Sequence, residues 1–368
     1  MVYAMFSIGI LGFIVWSWMA STSLYNILAG EAIKIENGGL NFTIGWNSLT
    51  YKDTFYSLNA LYYTQSAGNL NIQGSSENIR KNNYDLFIKN YSYFFKINFS
   101  KDDNWLSWFI GFIEGDGALL CYNGRSYFII TQKDPLVLLH IQETLKFGVV
   151  KHFTDRKNNR KYSRFIIADN KGIFLFYLLF NGNLVFYNRI NQLRRWNHAL
   201  INASRFDFSL FYTKSIPILQ DTPLLPSLTN AWLSGFTDAE GCFSVTIIKE
   251  NNFIRLRFIL DQLDGKDVLD YIGNWFCKKS NLKSKKNDLM YRLTISCNNF
   301  FKIEFIRDYF TKFPLKTSKA ISLRIFLEIS DKIQKPLKSI ELSEIKEKKK
   351  IMNKFIIENN PTGYSNKS

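Results

Sequence analysis

NWLSWFIGFIEGDGALL occupies residues 104–120, and NAWLSGFTDAEGCFSV occupies residues 230–245. Each begins as an apolar helical stretch, passes through acid–small–acid–Gly, and continues as an alternating apolar strand. A pattern met twice is an internal repeat. The second acid of each copy is Asp116 or Glu240, and 240 − 116 = 124 residues fits one compact unit per copy. Ser107, Gly111 and Gly115 fall at i, i+4 and i+8, as do Ala231, Gly235 and Ala239. Positions four apart share one helical face, and a face of small residues admits a second backbone at close range. The spacing therefore predicts two helices packed through these faces, with Phe109, Phe112, Ile113, Leu233 and Phe236 flanking them in the core.

The acids break a local rule. Glu114 and Asp116 end the first helix, and Asp238 and Glu240 end the second, where the helix dipole disfavours an anion by roughly 0.3–1 kcal/mol. Parallel pairing also brings Asp116 towards Glu240, and two like charges at one site raise a pKa or attract a cation. A hard cation such as Mg²⁺ suits carboxylate oxygens. Equivalent violations in both copies mark a site. Gly117 and Gly241 are expected to close the helices as C′ residues.

The continuation repeats as well. Copy one predicts strands near 118–123 and 126–132 around an Asn123-Gly124 turn, a helix over 134–146, strands near 148–154 and 161–168, and helices over 170–180 and 188–201. Copy two predicts strands near 242–249 and 253–261, a helix over 265–277, a basic strand pair within 281–297, and helices over 299–312 and 317–332.

FIGFIEGDG (109–117) and LSGFTDAEG (233–241) resemble the two motifs of a LAGLIDADG homing endonuclease of the single-chain, double-motif type. The resemblance spans roughly 101–335. It implies an α+β fold of two pseudo-symmetric αββαββα units forming a saddle over DNA, a monomer with an internal pseudo-dimer. It implies metal binding by the eighth motif position, Asp116 and Glu240, and a structural role for Glu114 and Asp238. It also implies a Gln near each centre, Gln132 in ITQKD and Gln262 in LDQLD, and a basic residue by the last helix. Lys316 in PLKTSKA is the best match, with Arg189 its counterpart in copy one. Phe109-Ile110 replace Leu-Ala in motif one, and motif two has Glu where Asp is commoner; both keep the carboxylate and the small face. The activity implied is divalent-cation-dependent double-strand cleavage at an intron-less exon junction, for intron homing. The alternative on the same scaffold is an RNA maturase that helps its own intron splice.

Composition agrees. The chain has 368 residues, 46% hydrophobic, and carries +16 at pH 7, a charge that calls for a polyanion such as nucleic acid. Strand residues facing it are expected to be basic at alternate positions: Arg125, Lys151, Arg160, Lys161 and Arg164, then Lys249, Arg255, Arg257, Lys283, Lys285 and Arg292. The four cysteines include no CxxC, and the three histidines form no HExxH, which excludes zinc-ribbon and metalloprotease chemistry.

The flanks read differently. MVYAMFSIGILGFIVWSW (1–18) is uncharged, could marginally span a bilayer, and resembles a transmembrane segment of cytochrome c oxidase subunit 1. A reading frame continuous from an upstream exon into a mitochondrial intron would give that arrangement, with residues 1–20 exon-like and the protein mitochondrial. Residues 21–100 read as poorly structured linker, 101–205 as repeat one, 206–227 (with Pro-rich SIPILQDTPLLP) as linker, 228–335 as repeat two, and 336–368 as a charged tail, a frayed helix and then disorder.

Overall fold

In the computed structural model, residues 35–36, 39–40 and 80–359 are described, apart from 156–158, 203–206, 249–251, 277–281, 285–288 and 334–338. Two units are formed, Met1–Asn78 and Ile79–Ser368. In the first, Ile35–Glu36 pairs antiparallel with Gly39–Leu40; the apolar segment 1–20 lies outside the described residues. Among those residues, no helix is long and apolar enough to cross a membrane.

The second unit holds the repeat. After α1 (Asp85–Phe95) come α2 (Asp103–Asp116), β1 (Gly117–Tyr122), β2 (Arg125–Gln132), α3 (Leu136–Leu145), β3 (Val149–Thr154), β4 (Lys161–Ile167), α4 (Asn170–Phe180) and α5 (Tyr187–Ile201). The second copy runs α6 (Trp232–Glu240), β5 (Gly241–Ile247), β6 (Ile254–Leu263), α7 (Lys266–Phe276), β7 (Leu282–Ser284), β8 (Met290–Ser296), α8 (Phe300–Lys312) and α9 (Lys319–Ile333), and α10 (Ser339–Asn359) closes the chain. Both sheets are antiparallel, ordered β1-β2-β4-β3 and β5-β6-β8-β7. This is the αββαββα arrangement twice over. The Asn123-Gly124 turn has both residues at positive φ, 48° and 70°, as a two-residue hairpin with right-handed twist requires.

Alternation decides which face of each sheet is covered. In β2, Ser126, Phe128 and Ile130 are buried while their neighbours are not, so one face meets the helices and the other stays open. Aromatic rings fill the covered side: Phe128 packs edge-on to Phe176 at 4.8 Å and against Trp196 at 6.3 Å, and Phe258 meets Phe243 at 5.2 Å and Phe310 at 6.0 Å.

Two flanking segments depart from the sequence reading, and the tail, read as a frayed helix, is a helix packed on the second repeat. Residues 80–100 are folded rather than linker: Phe87 and Tyr91 of α1 are buried, both ringed by Phe99. Asn183 clamps their entry, accepting from the Asn83 N–H at 2.9 Å and donating to the Asn83 carbonyl at 2.8 Å. The 206–227 segment lies along the first repeat, with Phe211 and Leu224 buried and the Leu224 N–H bonded to the Leu184 carbonyl at 2.8 Å. The tail holds a helix of 21 residues. Ile345 and Met352 are buried, and Lys332 and Lys348 pair with Glu344 and Glu328. Residues 360–368 lie outside the described residues.

Candidate active site and nucleic-acid interface

The site begins at the seam between α2 and α6. A Cβ placed on Gly111 would sit 2.0 Å from the Trp232 carbonyl oxygen, and one on Gly235 would sit 1.8 Å from that of Trp108. At Gly115 it would meet the Ala239 Cβ at 2.3 Å. Ser107 Oγ accepts from the Ala231 N–H at 3.2 Å. The partners 107 and 231, 111 and 235, 115 and 239 keep one offset, so the helices run parallel and in register. Only glycine allows backbone contact of this kind.

Each seam helix then turns into its strand at a glycine. Gly117 and Gly241 have φ of −79°, an extended and not a left-handed conformation. Here the glycine is needed for space: a Cβ would lie 2.5 Å from the Ile113 carbonyl oxygen or 2.7 Å from that of Thr237.

Glu114 and Asp238 lie inside the seam. Glu114 is fully buried. It accepts from the Val185 and Phe186 N–H groups, both at 2.8 Å, and from Trp232 Nε1 at 2.7 Å. Asp238 accepts from Lys316 N–H at 2.7 Å, Thr317 N–H at 3.2 Å, Thr317 Oγ1 at 2.5 Å and Trp108 Nε1 at 2.8 Å. Each acid therefore caps the entry of its own repeat's last helix, α5 or α9, and takes an indole N–H from the opposite seam helix. Burial pushes Glu114 up to about 7 against those three donors.

Asp116 and Glu240 stand two residues further on, on the other side of the helix end, half-buried. Burial raises Asp116, while Lys319, Gln132 and Arg189 pull it back. Burial and then the Asp116 charge push Glu240 up to about 7, with Asp261 adding to the rise and Lys319 and Arg189 opposing it. Glu240 thus feels the Asp116 charge, Asp116 is raised further by Asp238, and Lys319 and Arg189 oppose the rise of both. Arg189 is anchored by its Nε and Nη2 to the Glu114 carbonyl at 2.9 and 2.7 Å, and by Nη2 to that of Gly115 at 3.0 Å. Lys319 Nζ bonds the Thr237 and Ala239 carbonyls at 3.2 and 2.6 Å. Both fill the C-terminal end of a seam helix, where orphan carbonyls and the dipole favour a cation.

The structure separates the sequence candidates. Gln132 Nε2 donates to Asp116 Oδ2 at 2.5 Å. Gln262 instead is buried, donates to the neighbouring Leu263 carbonyl at 3.3 Å, and leaves its Oε1 without a partner. Lys316 stands away from the carboxylates: its backbone caps Asp238 and its ammonium lies 5.4 Å from the Trp108 ring centre. The basic residue beside the acids in repeat two is Lys319, which sequence reading missed. The cue lay in the charge of KTSKA: its first lysine falls in the cap and its second on the first helical turn, facing the seam.

Two facing carboxylates with raised affinity for protons, and no third acid, His or Cys completing a cluster among the described residues, fit a hard divalent cation that draws its remaining ligands from water, backbone or phosphate oxygen.

The open sheet faces are unlike each other. The first presents Leu120, Tyr127, Ile129, Ile166 and Val149, with Arg125, Lys151 and Arg164 among them. The second presents Ser244, Thr246, Arg255, Arg257, Thr294 and Arg292. Lys161 is exposed at its strand's start. Lys249 and Lys285 lie outside the described residues.

Residues 233–330 match the LAGLIDADG endonuclease family. Over 247 residues the chain is 35% identical to the "Probable intron-encoded endonuclease 4" of Neurospora crassa, a match spanning 64% of this chain and 42% of that protein. The chain thus spans under half the length of that relative. It is 26% identical over 263 residues to an uncharacterized cox1 intron-2 protein of Schizosaccharomyces pombe, covering 70% of this chain and 74% of the other. It is 24% identical over 279 residues to the "Intron-encoded DNA endonuclease aI3" of Saccharomyces cerevisiae, covering 65% of each. Among solved structures, a point mutant of I-SmaMI superposes with a TM-score of 0.54 at 16% identity, covering 70% of this chain and 99% of the other. The LAGLIDADG homing endonuclease I-GzeII in complex with its DNA target gives 0.50 at 19% identity, covering 68% and 98%.

Proposed function

For a chain with the LAGLIDADG homing-endonuclease fold, we propose a site-specific endonuclease that cuts both strands of duplex DNA at an intron-less exon junction. The observation that carries this is the convergence of Asp116 and Glu240 at the end of one glycine-lined seam, where each sheet begins. Asp116 and Glu240 would hold a divalent cation such as Mg²⁺. When bound, it supplies charge relief at the scissile phosphate. Lys319 and Arg189 add fixed positive charge there, held by carbonyls so that little reorganisation is needed during the reaction. Gln132 fixes the orientation of the Asp116 carboxylate. The basic side chains of the open sheet faces enter the major groove, which admits a β-ribbon. Similarity to a cox1 intron-2 protein and to intron-encoded endonucleases supports a mitochondrial location and intron homing as the process served.

The test uses the full chain with Mg²⁺ and a duplex spanning the exon junction. Cleavage of both strands is expected, and Asp116→Asn or Glu240→Gln is expected to abolish it. An uncut duplex, with the chain binding only its own intron RNA, would contradict the reading and favour a maturase.

A further inference from the structure

A second exposed face lies behind the first repeat. Leu86, Lys89, Tyr93 and Lys96 follow one another along α1 and its cap at spacings of three and four, and all four are exposed. Residues so spaced share one side of a helix. Phe87 and Tyr91, on the other side, are buried. The segment between the repeats widens the face. The exposed Tyr212 ring meets the Tyr93 ring edge-on at 6.4 Å, and Lys214 Nζ donates to the Tyr93 hydroxyl at 3.2 Å. The layers fix where this face points. α1 packs on α4, and α4 covers the first sheet through Phe176 against Phe128. The stripe is therefore the outer side of the third layer, opposite the open face of the sheet.

The charge on this face is gathered. The Lys96 and Lys214 ammoniums lie 4.2 and 4.6 Å from the centre of the same Tyr93 ring. Lys171, at the start of α4, adds a third ammonium 5.2 Å from the neighbouring Phe94 ring. Among the described residues, no carboxylate forms an ion pair with Lys89, Lys96, Lys171 or Lys214. Asp207 is within electrostatic reach of Lys214, with its carboxylate accepting from the Ser209 N–H at 2.8 Å. Like charges collected on one aromatic ring raise the local potential and attract an anion from outside.

We propose that the face formed by α1 and Tyr212–Lys214 docks on the surface of an anionic lipid bilayer. Three features of the face select lipid over other anions. Its cations are lysines, whose stems lie along apolar surface while the ammonium reaches headgroup phosphate. Its rings are tyrosines, which settle at the boundary between headgroup and acyl chain. Leu86 is exposed beside them, and an aliphatic side chain gains from a bilayer but offers no stacking plane to a nucleic-acid base. The sequence supplies a reason for such a contact. Residues 1–18 carry no charge and are only marginally long enough to span a bilayer. A weak surface contact on the same chain gains from the effective concentration that such a segment provides. Docked this way, the first repeat keeps its open sheet face turned from the lipid and accessible to duplex DNA.

The experiment labels the full chain with an amine-reactive reagent and reads each lysine by mass spectrometry. It is run with vesicles of phosphatidylcholine and cardiolipin, with vesicles of phosphatidylcholine alone, and with single-stranded RNA. The cardiolipin vesicles should protect Lys89, Lys96 and Lys214 by about fivefold each, and leave Lys346 and Lys350 of α10 reactive. Phosphatidylcholine alone should protect none of them, which separates this contact from insertion of residues 1–18. In co-sedimentation, the triple variant Lys89→Gln, Lys96→Gln, Lys214→Gln should lose the cardiolipin-dependent part of binding by roughly a hundredfold. Lys346→Gln, Lys349→Gln, Lys350→Gln removes as much charge elsewhere and should change it little. Tyr212→Ser should weaken binding while leaving its salt dependence in place. No protection by cardiolipin, equal protection of lysines all over the surface, or equal losses in the two triple variants would overturn the proposal. Protection by RNA in place of vesicles would also overturn it and assign the face to nucleic acid.

Discussion

Trp108 and Trp232 hold the same station in the two repeats, and each gives its indole N–H to the other repeat's buried acid, at 2.8 and 2.7 Å. A few ångströms further on the likeness stops. Gln132 bonds Asp116, whereas Gln262 turns away from Glu240. Ile129 and Ile166 stand on one open sheet face where Ile259 and Thr294 stand on the other, and Leu120 and Tyr127 where Ser244 and Arg257 stand. The seam is held by backbone contact on both sides, so neither repeat can change there without the other. Positions on the open faces touch no such partner and are free to diverge. Divergence is what an asymmetric duplex target requires of a two-fold scaffold.

Several substitutions would break or sharpen that contrast. The largest effect belongs to the seam: Gly111→Leu or Gly235→Leu drives a side chain into a backbone carbonyl and should cost about 4 kcal/mol or more, seen as loss of a cooperative thermal transition. Equal damage from both would confirm that the repeats are interchangeable here. Trp108→Phe and Trp232→Phe each remove one donor from a buried carboxylate, and each should cost about 1–3 kcal/mol in chemical denaturation. A large inequality between them would break the symmetry claimed for the seam.

Beyond the seam the halves should respond differently. Glu240 is raised from 4.5 to about 7. The folded state therefore binds its proton more tightly than the unfolded state does. Its contribution to stability is full below 4.5 and is lost as pH rises through about 7. Glu240→Gln should accordingly melt at higher temperature than wild type at pH 8 without added metal, and the gap should close below pH 4.5. The same proton competes with a cation, so Mg²⁺ should stabilise wild type more at pH 8 than at pH 6. The smallest effect separates the glutamines. Gln132→Ala removes a charge-assisted bond and should slow cleavage of one strand by about tenfold. Gln262→Ala should slow the other strand less, measured by nicking of end-labelled duplex.

The repeat, its strands and its seam were legible because they rest on local periodicity and on small residues spaced by four. Glu114 and Asp238 could be assigned a structural role, though not the indoles that satisfy them, which come from the opposite repeat. Lys319 was missed in favour of Lys316, since three residues of register at the start of α9 are set by which N–H groups cap Asp238. Residues 80–100 read as linker because of the polar stretches before them, although DLFIKNYSYFF carries Phe87, Ile88, Tyr91 and Phe94 at helical spacing; Phe87 and Tyr91 pack against Phe99. The tail helix likewise depends on ion pairs and apolar contacts with α9. The apolar face of the first sheet ran against the expectation of alternating basic residues, and only the cross-strand register reveals it.

Titration of a divalent cation into the full chain, followed by calorimetry, tests the shared centre most directly. If Asp116 and Glu240 hold one cation site between them, Asp116→Asn and Glu240→Gln should each weaken binding severely, and the double variant should be scarcely worse than either alone. Losses that simply add, each single variant keeping the other's site intact, would contradict the account.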